Sequence, residues 1–382
     1  MTTKQSDANN EKINEKFITA KYQPSLTEWF NIIGDSVDAK KIQDEDNNKH
    51  ARLELLQKII RLPYLKPKKV RAIDLYNKTP KISKIFEKQG NDLCAIRLIP
   101  QKTGLPKLRN RGLSLENCYA QWFLRQDIDF KNYEAEICPH SEIALYSIVL
   151  VVDERGIFGE IVPGHSFQII HGDAESKTYK FFYDFSKWKW SEKNPEIEKY
   201  VKRAVVHLRI KKAVQEEALE KELQAKIFKN YLGGYFEVVV WGNKKGYFFD
   251  YNRLMPDYIA APKLAENDSD EENIELKGLS VFPGVVVGKV AKISPDNISK
   301  IKFENGSILV TDNTDVRFLP IMRNAGAILT ERGSILSHAS IIARELKKPC
   351  IVGINNLTKI LKNDDLIKVD ANNGAVVFIK HE

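Results

Sequence analysis

Residues 326–349 constrain the fold of this chain most, because they read as a strand, a turn and a helix in that order. Residues 326–329 are a short apolar run that predicts a buried strand, and residues 332–334 predict a turn. Beyond them, apolar side chains recur at helical spacing until a proline stops the pattern. We therefore predict a β/α unit in which Ser337 is the N-cap and His338 lies in the first helical turn.

A histidine at a helix start is well placed to handle an anion. Free backbone N–H groups and the helix dipole stabilise negative charge at that end. A neutral imidazole nitrogen is also a competent nucleophile. We predict that His338 can carry a phosphoryl group, with Arg332 and Arg344 as counter-charges. On these residues alone a structural or solvated histidine stays the commoner alternative.

Two motifs place this histidine in a wider pattern. One is Ser280 to Val290, with the sequence SVFPGVVVGKV, and the other is Ile328 to Gly353. The stretch from Gly278 to Ile379 closely resembles the phosphohistidine swivelling domain of the family that includes phosphoenolpyruvate synthase, pyruvate phosphate dikinase and rifampicin phosphotransferase. The resemblance implies that His338 is the phosphorylated residue. That family usually has two glycines before the histidine helix, and here the second is Ser334.

Length and composition predict several domains in a globular chain. A chain of 382 residues with 43% hydrophobic content can fill two or three cores. An acidic, self-repelling run at residues 266–272 predicts a linker. The expected division is a disordered segment at 1–20, a nucleotide-binding domain at 21–260, an acidic linker at 261–277 and the swivelling domain at 278–382.

Charge, cysteine content and hydropathy narrow the class of protein. No apolar run has the length of a membrane span, and the first residues lack the pattern of a secretory signal. The four cysteines are scattered without metal-type pairing, so we expect a reduced, cytoplasmic protein without structural zinc. The net charge of +8 raises nucleic-acid binding as an alternative. Because lysines and acids are interleaved, a solvated surface with a phosphate site is the preferred interpretation.

The segment from Gly233 to Arg253 predicts a β-hairpin with a turn at residues 242–246. Its strands would bring Glu237 close to Asp250 and Asn252. Three hard oxygen donors of this kind can bind Mg²⁺ and leave positions for nucleotide phosphates. Acids on hairpin strands more often face solvent, and that alternative stays open on spacing alone.

The same spacing resembles the end of an ATP-grasp domain, where a strand glutamate is followed by an acid-x-Asn-Arg element. The resemblance implies that Glu237, Asp250 and Asn252 are magnesium ligands and that Arg253 contacts a phosphate. The glycine-lysine element that this family usually has near its N-terminus is not apparent.

Earlier segments add candidate nucleotide contacts. Leu93 to Arg97 predicts a strand that ends on a cation, and dikinase-type relatives place a nucleotide-binding arginine there. Residues 101–112 form a basic, glycine-containing stretch that we interpret as a loop over the triphosphate, with contacts from Lys107 and Arg109. An ordinary solvated basic loop is the alternative. Residues 133–139 resemble the ATP-grasp hinge, which makes Glu136 the hinge candidate.

Three further segments receive weaker interpretations. Residues 197–231 show helical periodicity and predict a surface helix that covers the sheet. Glu160 would face either the nucleotide or solvent. His50 and the other histidines apart from His338 form no metal-type spacing, so we interpret them as structural or exposed.

Together these features predict an α/β and α+β protein, with a two-lobed ATP-grasp domain linked to a C-terminal β/α phosphohistidine domain. The predicted activity is that of a dikinase-like phosphotransferase. Magnesium ATP would phosphorylate His338, and the mobile domain would pass the group to a small-molecule acceptor. Whether AMP or ADP leaves is open, as is a partner subunit that supplies the acceptor site. The alternatives are a phosphohistidine carrier or regulatory protein, and an ATP-dependent ligase or condensing enzyme that uses the same relay.

Overall fold

The structure is a computed structural model that describes residues 25–102, 105–140, 144–172, 176–259, 261, 276–298 and 303–380. The predicted N-terminal segment 1–20 and most of the predicted linker, residues 262–275, lie outside these ranges. The last two linker residues, Leu276 and Lys277, form a strand that pairs with Val376 and Ala375. Among the described helices, none combines the length and the apolar character needed to cross a bilayer.

The N-terminal part contains a four-stranded antiparallel sheet. In spatial order its strands are β1 (Lys68–Arg71), β4 (Tyr133–Pro139), β2 (Leu93–Pro100) and β3 (Leu108–Ser114). One face is covered by the helices α3 (Ala72–Tyr76), α4 (Pro80–Gln89) and α5 (Leu115–Gln121). Ile96 and Leu98 of β2 belong to that core, so strand alternation turns Arg97 towards the opposite face.

A six-stranded antiparallel sheet follows. In spatial order its strands are β12 (Gly246–Asn252), β11 (Gly234–Trp241), β5 (Ala144–Asp153), β6 (Gly156–Pro163), β7 (Tyr179–Tyr183) and β8 (Trp188–Trp190). Strands β11 and β12 form the predicted hairpin, and Glu237 lies directly opposite Asp250. The sequence prediction of this hairpin is confirmed.

The prediction of one helix over residues 197–231 is wrong in its length. The segment contains α7 (Pro195–His207), α8 (Ala213–Leu223) and the short strands β9 (Ile227–Phe228) and β10 (Tyr231–Leu232). After α7 the Ile210 backbone N–H donates to the Asn230 carbonyl at 2.7 Å, beside an isolated bridge between Arg209 and Tyr231 that interrupts the helical pattern. The predicted covering of the sheet is correct, since one face of α7 is buried in the core of this sheet.

Two helices precede the sheets. They are α1 (Leu26–Ile33) and α2 (Ser36–Ile60). Asp35 caps α2 by accepting a hydrogen bond from the backbone of Asp38 at 3.0 Å. Leu53 and Leu56 bury the second half of α2 in the core of the six-stranded sheet. The polar side chains one turn earlier are thereby held near β12.

The C-terminal part is one mixed eight-stranded sheet with short helices. In spatial order its strands are β13 (Leu276–Lys277), β20 (Ala375–Lys380), β19 (Leu366–Asp370), β15 (Val285–Lys292), β16 (Ile308–Thr311), β17 (Ala327–Thr330), β18 (Cys350–Val352) and β14 (Leu279–Phe282). Strands β15 to β18 are parallel neighbours. The helices are α9 (Leu319–Asn324), α10 (His338–Glu345) and α11 (Leu357–Ile360), and α6 (Phe167–Ile170) belongs to the N-terminal part.

One hydrophobic core joins the N-terminal and C-terminal parts. Phe30 of α1 and Ile169 of α6 share it with Ile335, Leu336 and Ile341 from the segment around α10. Burial of such side chains stabilises the contact by roughly 25 cal/mol per Å² of apolar surface removed from water. The start of α10 is therefore packed against the chain that follows β6.

Candidate active site

His338 is the first residue of α10, as the sequence predicts. The Ser337 side chain accepts a hydrogen bond from the Ser340 backbone at 3.2 Å, which confirms Ser337 as the N-cap. Ser340 Oγ in turn donates to the Ser334 carbonyl at 2.6 Å and fastens the turn to the helix. Free N–H groups at this end favour an anion beside the histidine.

Ser334 stands where the family that this segment resembles usually has a second glycine. Its hydroxyl makes two contacts that a glycine could not make. Its hydroxyl oxygen accepts a hydrogen bond from the Leu336 backbone at 2.9 Å, and the hydroxyl also lies beside the Glu160 carboxylate. The backbone N–H of Ile335 lies beside the same carboxylate. Glu160 is buried, which excludes the solvent-facing alternative, and its carboxylate contacts the C-terminal part.

The half-buried ring of His338 faces the N-terminal part rather than its own core. The centroid of the His171 ring lies 6.2 Å from that of His338, with the ring planes at 62°. His171 directly follows α6, and the next residue, Gly172, is packed so that a Cβ there would come within 3.3 Å of Ser337 Cβ. The loop after β6 is therefore the surface on which the His338 turn rests.

The structure places the two predicted counter-charges differently. Arg332 forms a two-pronged ion pair with Asp312, with Nε to Oδ1 at 2.9 Å. Arg344 lies six residues along α10 from His338, about 9 Å of helical rise, and donates to the Val281 carbonyl at 3.0 Å. Arg344 is thus not brought beside the imidazole ring by the helix.

The predicted basic loop at residues 101–112 is partly a strand. Residues 103 and 104 lie outside the described residues, but β3 begins at Leu108 and pairs with β2. Strand alternation places Lys107, Arg109 and Arg111 on one face. The loop interpretation is therefore corrected for its second half, because those residues gain ladder hydrogen bonds beside β2.

A row of charged residues crosses the four-stranded sheet. In register from β1 to β3 it contains Lys69, Glu136, Arg97 and Arg109. Glu136 is buried, and its carboxylate lies 3.4 Å from Arg97 and 3.5 Å from Lys69. Glu136 thus lies in the middle of a strand and holds cations, rather than in a connection between two lobes.

Helix α2 adds residues that sequence reasoning missed. Lys49 Nζ lies 2.9 Å from both Asp46 and Asp250. Asp46 also contacts Lys107, and one oxygen lies 3.6 Å from Arg97. In the sequence these residues belong to a polar helix with the pattern of a solvated surface, and only its packing against β12 brings them to the sheet.

Glu237 and Asp250 form the centre of the second group. Glu237 accepts hydrogen bonds from the hydroxyls of Tyr235 at 3.0 Å and Ser166 at 3.3 Å. Burial, with the neighbouring Asp250 charge, raises the pKa of Glu237 to about 7. These two facing carboxylates, beside Lys49 and within electrostatic reach of Arg111, fit a divalent cation with oxygen ligands.

The other two residues of the predicted element are engaged elsewhere. Asn252 is buried, and its side-chain oxygen accepts hydrogen bonds from the backbones of Leu254 at 2.9 Å and Met255 at 3.0 Å. Arg253 pairs with Glu45, with Nε to Oε1 at 2.8 Å. In this conformation Asn252, the predicted metal ligand, binds the local backbone. Arg253, the predicted phosphate contact, forms an ion pair with α2.

His50, Glu136 and Cys138 form the only group of three ligand-type side chains found among the described residues, with ligand atoms within 4.8 Å of one another. Burial, followed by the charge of Arg97, lowers the pKa of His50 to about 2, so the ring is neutral. Arg97 and Lys69 already neutralise Glu136. These cations disfavour a metal ion there, and His50 is buried and structural, one of the two states expected from the sequence.

Comparison with known families agrees with the C-terminal assignment. Residues 303–374 match the family model described as PEP-utilising enzyme, mobile domain. The resemblance read from the motifs around His338 is confirmed over that range. The match includes His338 and the N-cap Ser337.

Curated relatives match over a limited part of the chain. A probable phosphoenolpyruvate synthase from Archaeoglobus fulgidus is 43% identical over 30% of this chain and 15% of its own length. The phosphoenolpyruvate synthase of Pyrococcus furiosus is 42% identical over 28% of this chain and 13% of its own length. This chain thus spans a small fraction of the relatives it matches.

Solved structures align over the larger part of the chain. The crystal structure of carboxyaminoimidazole ribonucleotide synthase from Aspergillus clavatus complexed with ATP covers 55% of this chain and 45% of its own, at 13% identity and a TM-score of 0.29. A TM-score this low carries no conclusion about a nucleotide site. What the comparisons show directly is that the C-terminal part, with His338, is similar to the mobile domain of PEP-utilising enzymes.

Proposed function

We propose that this protein is an ATP-dependent phosphotransferase in which His338 carries the phosphoryl group from a nucleotide in the N-terminal part to a second substrate. The observation that carries the proposal is the position of His338. Its ring faces His171, which ends α6, and α6 begins after Ser166, whose hydroxyl contacts Glu237. The nucleophile and the paired carboxylates thus lie at two ends of one short segment.

The cations of the first sheet and α2 are the proposed triphosphate contacts. Lys49, Arg97 and Lys107 converge on a single anionic position. Such cations, fixed before the ligand arrives, lower the energy of a phosphoryl-transfer transition state without reorganisation. Mg²⁺ held by Glu237 and Asp250 would neutralise phosphate oxygens.

In the transfer itself, one imidazole nitrogen of His338 forms a bond to phosphorus while the bond from phosphorus to the nucleotide oxygen breaks. If the β-phosphorus is attacked, AMP leaves, and water then releases the terminal phosphate as orthophosphate. If the γ-phosphorus is attacked, ADP leaves. The backbone N–H groups at the start of α10 would stabilise the phosphohistidine that forms. The acceptor then takes the phosphoryl group from His338.

Mobility of the C-terminal part is the other element of the proposal. The acceptor is a small molecule that binds away from the nucleotide, and the domain has to leave the loop after β6 to reach it. A carrier that has lost its nucleotide site is disfavoured, because the three cations and both carboxylates are retained together. A ligase that uses the same relay differs only in the acceptor step.

Labelling tests the proposal. Wild type, His338→Ala and the control His207→Ala, which changes an exposed histidine of α7, are incubated with Mg²⁺ and ATP labelled at the β or the γ position. Acid-labile label on wild type and the control, with none on His338→Ala, is expected. Absence of label from all three proteins would refute the relay, and equal label on His338→Ala would move it to another residue.

The labelled position distinguishes the two chemistries. Label that stays on the protein from the β position only, with release of AMP and of the γ label as orthophosphate, indicates attack at the β-phosphorus. Label from the γ position alone, with release of ADP, contradicts a dikinase-like reaction and leaves an ordinary phosphotransferase. Metabolite pools added to the labelled protein then identify the acceptor by loss of label.

A further inference from the structure

Asp46 occupies an unusual place among the cations described above. Its carboxylate lies 2.9 Å from Lys49 and 3.6 Å from Arg97, and it contacts Lys107 more closely than either. These three residues come from α2, β2 and the segment before β3. A single carboxylate therefore holds cations from three separate elements at the position proposed for the triphosphate.

The charge of Asp46 is maintained at neutral pH. Burial would raise its pKa, but Lys49, Lys107 and Arg97 together hold the pKa well below the usual range. The side chain is still 38% exposed, so a ligand can reach it from solvent. A triphosphate that approaches the same cations meets a negative charge already in place.

Buried contacts of the neighbouring residues hold the backbone at Asp46 in place. The neighbouring Glu45 is buried and pairs with Arg52 at 2.5 Å and with Arg253 at 2.8 Å. Leu53 and Leu56 anchor the following turns in the core. We therefore expect the Asp46 side chain to leave this position by rotating towards solvent, while α2 stays in place.

We propose that Asp46 is a resident counter-anion that occupies the phosphate position and sets the affinity for phosphorylated nucleotides, which bind by displacing it. The inference rests on the proposed function, because it assigns the displaced position to ATP. A ligand with several phosphate charges replaces the lost ion pairs and adds more. A ligand without phosphates has no negative charge to pair with these cations, so it should not displace the carboxylate.

The experiment compares equilibrium binding of Mg²⁺-ATP and of adenosine by wild type, Asp46→Asn and Asp44→Asn. Asp44 is the matched control, since it lies on the same helix with a side chain 63% exposed and only a 4.0 Å pair with Lys40. We expect Asp46→Asn to bind ATP about tenfold more tightly, within the usual range of coupling between sites. Adenosine binding should be unchanged, and Asp44→Asn should match wild type for both ligands.

The outcomes separate this inference from the proposed function. If wild type binds ATP and Asp46→Asn binds it equally or more weakly, Asp46 is a supporting residue and the inference is overturned while the function stands. The same conclusion follows if adenosine gains as much as ATP. If neither protein binds ATP, both ideas fail. Circular dichroism and an Asp46→Ala variant show whether a loss of binding reflects misfolding.

Discussion

The rings of His171 and His338 face each other across the contact between the N-terminal and C-terminal parts, with 6.2 Å between their centroids. His171 lies at the end of α6 and His338 at the start of α10. The contact joins the predicted nucleophile to the segment that also reaches Glu237 through Ser166. In the proposed transfer, this contact would be the surface on which the two parts dock.

Replacing His171 should slow the phosphorylation of His338 without preventing folding. We expect His171→Phe, which keeps a ring but removes both nitrogens, to lower the single-turnover rate of label transfer about tenfold or more, because a nearby imidazole can orient the ring or exchange its proton. The rate is measured by rapid quench, with His207→Ala as the control. A rate equal to wild type would make His171 a packing residue only.

Removing the N-cap should weaken the helix that presents His338. Ser337→Ala loses the hydrogen bond from the Ser340 backbone, and we expect a loss of about 1 kcal/mol in the free energy of unfolding. Ser337→Thr keeps a capping hydroxyl and should lose less. Denaturant unfolding measures both variants. Equal stability of Ser337→Ala and wild type would show that the cap contributes nothing.

ATP affinity should depend on the charge of Lys107. Burial lowers the pKa of Lys107 to about 8, while Asp46 opposes the shift and Arg97 and Lys49 add to it. Since only the protonated amine attracts phosphate, affinity should fall as the pH rises through about 8, and binding above that pH should take up protons. Calorimetry in buffers of different ionisation enthalpy measures both effects. Lys107→Arg, which stays charged, should flatten the profile.

Removing one of the paired carboxylates should abolish most metal-dependent transfer. We expect Glu237→Gln to reduce the rate of His338 labelling about a hundredfold, because a divalent cation would lose one of two charged ligands. The control Asp257→Asn changes an exposed acid near the same hairpin. Labelling that persists at the wild-type rate with unchanged Mg²⁺ dependence would remove Glu237 from the metal site.

The ion pair between Glu45 and Arg253 should stabilise the folded protein. Glu45 is buried and holds both Arg52 and Arg253, so Glu45→Ala leaves two cations without their partner. We expect the free energy of unfolding to fall by about 3 kcal/mol. Arg253→Lys should fold and bind ATP with little change if Arg253 serves α2. A large, selective loss of ATP affinity in Arg253→Lys would restore it as a phosphate contact.

Short-range sequence signals predicted their structures well. The turn and helix at His338 follow from the order of apolar residues, Ser337 and a stopping proline. The hairpin follows from two β-rich runs around a turn, and its register brings Glu237 to Asp250. Both features depend on residues close in sequence, where capping and alternation act directly.

The same signals do not decide which partner a side chain takes where it has two possible ones. The pattern at residues 250–253 favoured ligands throughout, but the Asn252 oxygen binds the following backbone and Arg253 turns to a glutamate on α2. The basic segment after residue 104 looked like a loop because its apolar residues are few. Pairing with β2 made it a strand, since the ladder satisfies its backbone groups.

The sequence by itself determined the helix that begins at His338 and the hairpin that pairs Glu237 with Asp250, since each is set by neighbours within a few residues. Only the tertiary structure decided that Lys49 meets Asp250, 201 residues away, that Asp46 holds three cations, and that His171 faces His338. The physical reason is that these contacts follow from the burial of apolar faces. When the apolar face of α2 is buried, the position of the polar residues on the same helix is fixed as well.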